Sequence, residues 1–127
     1  MPVKRLVRLW LAAGLLATVV PANAHGDWPA KHGGVMNDGG ETSFELVARN
    51  RKVLLFVEDH GEPVDTKGAQ GLLTVTQGER SWNADIRTTG GNRLEATLLR
   101  ELKHGDKIVA RVTMGNGSIA VGRFSVK

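Results

Sequence analysis

From Thr42 onward, apolar and polar residues alternate in short runs separated by turn residues, the pattern of half-buried strands. Ser43 to Arg49 (SFELVAR) sets Phe44, Leu46 and Ala48 on one face. Lys52 to Glu58 (KVLLFVE) is almost continuously apolar, which predicts a strand covered on both faces. Gly71 to Thr76 (GLLTVT) is the next strand, followed by Ser81 to Arg87 (SWNADIR), with Trp82, Ala84 and Ile86 in phase. Arg93 to Leu99 (RLEATLL) and Lys107 to Met114 (KIVARVTM) repeat the alternation, and Ser118 to Val126 (SIAVGRFSV) is the last such run. Between them stand Asn50-Arg51, Asp59-His60-Gly61-Glu62-Pro63, Gln77-Gly78-Glu79-Arg80, Thr88 to Asn92, Glu101 to Asp106 and Gly115-Asn116-Gly117. Nearly all of these hold residues that favour reversals, through φ > 0 at Gly, capping by Asp or Asn, and ladder-stopping Pro.

No stretch of the domain carries a sustained 3.6-residue apolar period, so no major helix is expected. The predicted fold is all-β, an antiparallel sandwich of about seven strands of the immunoglobulin-like kind, with a small open barrel as the alternative. A further short strand is expected at Gly34 to Asn37.

The N-terminal part reads differently. Lys4, Arg5 and Arg8 precede an apolar run from Leu9 to Val20, then Pro21 and Ala22-Asn23-Ala24, an A-x-A cleavage signature. A run of 12 residues falls well short of the roughly 20 needed to span a bilayer. Residues 1–24 are therefore expected to be a cleaved signal peptide, residues 25–41 a flexible arm rich in Gly, Asp and Asn, and residues 42–127 the β-domain. The expected location is the periplasm, with no membrane insertion after cleavage.

Cleavage changes the charge balance. The whole chain has 17 Lys and Arg against 13 Asp and Glu. The signal holds three of the basic residues and no acidic one, which leaves 14 against 13, a net charge of +1. No basic stripe with interleaved aromatics survives, so a nucleic-acid partner is not expected. There is no cysteine. This excludes disulfides, thiolate metal sites and a cysteine nucleophile, and leaves apolar packing to hold the fold.

The remaining chemistry lies in the histidines. Cleavage after Ala24 would make His25 the first residue, with an α-amine and an imidazole on one residue as a ready metal chelate. His32-Gly33-Gly34 offers an imidazole next to sterically open backbone amides. Met36 adds a thioether, which favours Cu(I). His60, in the Asp59 to Pro63 turn, is a companion ligand if the arm folds back onto that turn. His104 reads as a plain turn residue and Met114 as core. The expected metal site is thus His25, His32, Met36 and His60, with copper ahead of zinc or nickel. The chain holds neither a G-x-S-x-G nucleophile elbow nor an HExxH helix, and the protein is not expected to be an enzyme.

Several stretches carry a resemblance. They are Lys31-His32-Gly33-Gly34, Glu45-Leu46-Val47, Leu55 to Val64 (LFVEDHGEPV), Gly68-Ala69, Gly91-Asn92-Arg93-Leu94 and Arg123 to Lys127 (RFSVK). The chain resembles small exported β-proteins of Gram-negative bacteria and the N-terminal extension domains of heavy-metal efflux adaptors of the resistance-nodulation-division type. The resemblance implies a β-domain close to periplasmic metal handling, with an efflux adaptor as partner, and supplies no ligand set. Separately, His25 alone is similar to the first residue of exported copper carriers and copper-dependent monooxygenases. The alternative to metal capture is a metal-free accessory domain that docks on an efflux adaptor or another envelope protein.

Overall fold

Nine strands account for the regular structure of the residues described, which are 28–37 and 40–127 of a computed structural model. The expected signal peptide and His25 lie outside the described residues. In chain order the strands are β1 (Val35–Met36), β2 (Thr42–Arg49), β3 (Lys52–Asp59), β4 (Glu62–Pro63), β5 (Gln70–Gln77), β6 (Arg80–Gly90), β7 (Arg93–Thr97), β8 (Lys107–Thr113) and β9 (Ile119–Ser125). The seven longer strands fall on the seven apolar runs of the sequence, and β1 falls within the short strand expected at 34–37. Among the described residues there is no helix.

All pairings are antiparallel, and the order is β1-β2-β3-β7-β6-β5-β8-β9, with β4 added to β3. Strands β5, β6 and β7 form a meander. After the longer connection from residue 98 to residue 106, β8 returns beside β5, giving the spatial order 8-5-6-7 of a Greek key. The expectation of a two-sheet, immunoglobulin-like sandwich is not what these pairings make. They make one continuous sheet that coils until it nearly closes into a barrel. Alternation demands one buried face per strand, and a sandwich and a barrel meet that demand equally well.

The core-facing residues follow the alternation. Phe44 and Leu46 of β2, Val53, Leu55 and Val57 of β3, Leu73 and Val75 of β5 and Ile86 of β6 are buried. They meet Leu94 and Ala96 of β7, Ile108, Ala110 and Val112 of β8, and Phe124 of β9. Trp82, Ala84 and Met114 pack against this cluster while remaining partly exposed. The near-closure is a contact between β9 and β2, with no ladder between them. At its tightest point Gly122 lies under the Phe44 ring, where a Cβ would stand 2.7 Å from Phe44 Cδ2. Only glycine lets the two strands approach this closely.

Candidate functional site

Strand β3 is apolar on both faces, and the arm explains why. Val53, Leu55 and Val57 point to the core, while Phe56 and Glu58 point the other way and meet His32 and Lys31 of the arm. The chain runs over the outer face of the β2–β3 pair, then turns into β1 and pairs with β2 through Val35↔Leu46 and Met36↔Glu45.

Glu45 anchors this crossing. It stands directly opposite Phe56 and is buried, although the outward phase of β2 would ordinarily leave it in solvent. Its Oε1 accepts hydrogen bonds from the Lys31 amide at 2.9 Å and pairs with His32 Nδ1 at 2.9 Å. Its Oε2 accepts from the amides of His32 and Gly34, each at 2.8 Å. The three N–H groups form a backbone nest around a carboxylate. Burial by itself pushes the Glu45 carboxyl up, but the His32 bond and the three amides outweigh it and hold the group below its ordinary value. Gly34 is required at this crossing because a Cβ there would collide with the Leu46 carbonyl.

The His32 ring is fixed from a second side. It stacks on Phe56 with ring centroids 3.6 Å apart and planes 5° from parallel. Nδ1 faces Glu45, and Nε2 is the ring nitrogen that the carboxylate does not engage, on a side chain that is 41% exposed. Lys31 extends the clamp towards the end of β3. Its Nζ lies 2.8 Å from Glu58 Oε2 and donates to the Gly61 carbonyl at 3.0 Å. The other oxygen of Glu58 is buried without a hydrogen-bond partner among the described residues. Trp28 closes the row, its ring lying against Gly61.

The turn beneath Trp28 carries His60. Asp59 pairs with Glu62 across the two-residue loop His60-Gly61, and both loop residues have positive φ, +52° and +82°. That is the type I′ hairpin geometry, in which Asn is the favoured first residue; histidine is, with Asn and Asp, among the side chains enriched at positive φ. His60 Nδ1 lies 2.7 Å from Asp59 Oδ1 on an open surface. Its free nitrogen is again Nε2.

The expected site residues are therefore distributed as follows. His32 and Met36 are both neighbours of Glu45, the first by hydrogen bond and the second by strand register. His60 follows Phe56 by four residues on the same chain, about 13 Å along the strand direction, and belongs to the far end of the row. His25 lies outside the described residues. Among the described residues no group of three or more His, Cys, Asp or Glu side chains is placed to hold a metal ion. The backbone amides of His32 and Gly34, which the sequence offered as copper donors, donate to Glu45.

Sequence reasoning missed Glu45, Phe56, Lys31 and Glu58 as parts of this arrangement. The signal for them was the double-faced apolarity of β3, which required a cover. The pattern does not say which segment supplies it. Comparisons with family models, with curated proteins and with solved structures each found no match to this chain, so no relative supplies a ligand set or an activity.

Proposed function

We propose that the protein is an exported metal-binding domain that captures copper, or with lower preference zinc or nickel, in the periplasm. The observation that carries this reading is the shared orientation of two imidazoles. His32 and His60 each bond a carboxylate through Nδ1, at 2.9 and 2.7 Å, and each leaves Nε2 available. A carboxylate on one ring nitrogen fixes the tautomer and raises the basicity of the other, the usual support of a metal-bound histidine.

The partner of His60 in this reading is His25. Trp28 rests on Gly61, beside His60. Three residues of extended chain reach about 10 Å, enough to bring position 25 to the His60 turn. Cleavage after Ala24 would then present an α-amine, its imidazole and the His60 Nε2 to one ion. Asp59 would orient His60. His32 and Met36, beside Glu45, are a second and weaker pair, suited to Cu(I) through the thioether. The α-amine must lose its proton to bind, and its reference pKa is about 7.7–8.0, so affinity rises as pH increases towards 8. Heavy-metal resistance or efflux is the process this function would serve, with an efflux adaptor as the recipient.

The test is a Cu(II) titration of protein whose first residue is His25, followed by calorimetry and electron paramagnetic resonance. Micromolar or tighter binding with nitrogen ligation is expected, weakened at least tenfold in both His25→Ala and His60→Asn. Asparagine suits the type I′ turn at position 60, so that variant should fold as well as the parent. Millimolar binding, or affinity indifferent to both substitutions, overturns the reading.

A further inference from the structure

The coiled sheet leaves a gap at one end of the β2–β9 seam, and its edges have strand chemistry. Just past the end of β9, Val126 donates to the Asp106 carbonyl at 2.9 Å and its own carbonyl accepts from Gly105 at 2.8 Å. Antiparallel alternation then turns the N–H and C=O groups of Ser125 and Arg123 away from β8, towards the seam. On β2, Phe44 bonds Asn37 on the side away from β3, so the backbone groups of Ala48 point to the seam as well. Strand β1 covers β2 only at Glu45 and Leu46 and does not reach Ala48.

Ala48 shows the consequence. It lies in phase with Phe44 and Leu46, opposite fully buried Val53, yet it is exposed. Between the two edges runs a groove of about 290 Å³, floored by Leu46, Leu102, Ile108 and Phe124. Charge fills out the description. Arg49 and Arg51 stand where β2 ends, and Arg123 and Lys127 stand on the opposite side. None of these four has an ion-pair partner among the described residues.

We infer that this gap accepts one added β-strand from a partner protein, an extended segment that alternates apolar side chains with acidic ones. The outward N–H and C=O groups supply main-chain pairing, the groove takes the apolar side chains, and the four cations select carboxylates at the strand's ends. This is peptide recognition by strand addition at a sheet edge. It is separate from the His60 site of the metal reading, with which the gap shares no residue, although Gly33, Gly34 and Val35, between His32 and Met36, also line the groove.

The test selects phage-displayed random nine-residue peptides on the purified protein, with Ser125→Pro as counter-target. The Ser125 N–H faces the seam, so proline there removes an edge donor without breaking the β8 ladder. Expected binders carry a period-two apolar pattern with Asp or Glu, shift the amide resonances of Arg123 and Ser125, and lose at least tenfold in affinity to Ser125→Pro. Charge reversal by Arg49→Glu with Arg51→Glu should weaken the same peptides by a similar factor. Peptides that bind both proteins equally, that lack the period, or that leave the edge amides unshifted overturn the inference. So does a selection that yields no binder. A concentration-dependent dimer in sedimentation that Ser125→Pro abolishes would instead assign the gap to a second copy of the chain.

Discussion

Glu45 turns a polar position into a clamp. Its carboxylate is surrounded by three amides and one imidazole, so its charge is worth more folded than unfolded. The folded-state pKa is depressed. The stabilisation is therefore complete above the unfolded value of about 4.3, and is lost as pH falls through the depressed value. Glu45→Gln should destabilise the protein by about 1–2 kcal/mol at neutral pH. That difference should shrink towards zero as the pH drops below the glutamate range, a trend readable from urea melts of both proteins across pH. At the same scale, His60 occupies a left-handed position with Asp59 as partner.

Among the elements, the arm matters most. Its sequence, dominated by glycine and polar residues, reads as a flexible leader, yet the amides of Lys31, His32 and Gly34 bond Glu45 on the outer face of β2, and Val35–Met36 pairs with the edge of that strand. The glycines serve proximity here. Gly34→Ala would push the arm off the Leu46 carbonyl and expose Phe56. We expect a loss of about 1–2 kcal/mol, within the ordinary range for single substitutions. Fast hydrogen exchange should appear at the amides of Lys31, His32 and residue 34, while amides of β5 and β8 keep their protection. Uniform loss of protection across the sheet would show instead that the arm belongs to the global folding unit. The seven longer strands were legible, because period-two alternation and turn residues are local signals. But β6 runs on to Gly90, into the reversal expected at Thr88 to Asn92. Glu62–Pro63, expected as part of a turn with Pro stopping the ladder, pairs with β3 as a two-residue strand. The clamp was not legible. Glu45, Lys31 and Phe56 are separated by 11 to 25 positions, and nothing local marks them as partners.

At the level of the whole molecule, the sheet is one coiled layer whose ends meet at Gly122 and Phe44 and diverge near Ala48. Contact at one point and a gap at another leave the nearly closed sheet with an open edge. Gly122→Val should force the two strands apart at Phe44. The cost expected for such overpacking is about 1–3 kcal/mol, seen as a lower thermal midpoint. A variant as stable as the parent would mean that β9 is held by β8 alone. The single coiled sheet, in place of two packed sheets, was the largest departure from expectation. Seven half-buried strands can stack as two sheets or curl as one, and the choice rests on contacts such as β3 with β7 and β5 with β8, which join residues far apart in the chain.

The sequence by itself determined the strands, their inward faces, the turns between them and the presence of histidines in an arm and a turn. Each of these follows from chemistry within a few residues. Only the tertiary structure decided that the sheet is single and nearly closed, that the arm lies on it through Glu45, and that a carboxylate orients each of His32 and His60. It also decided where the seam stays open. Those outcomes depend on which distant surfaces fit together, and alternation along the chain says which face is buried without saying against what.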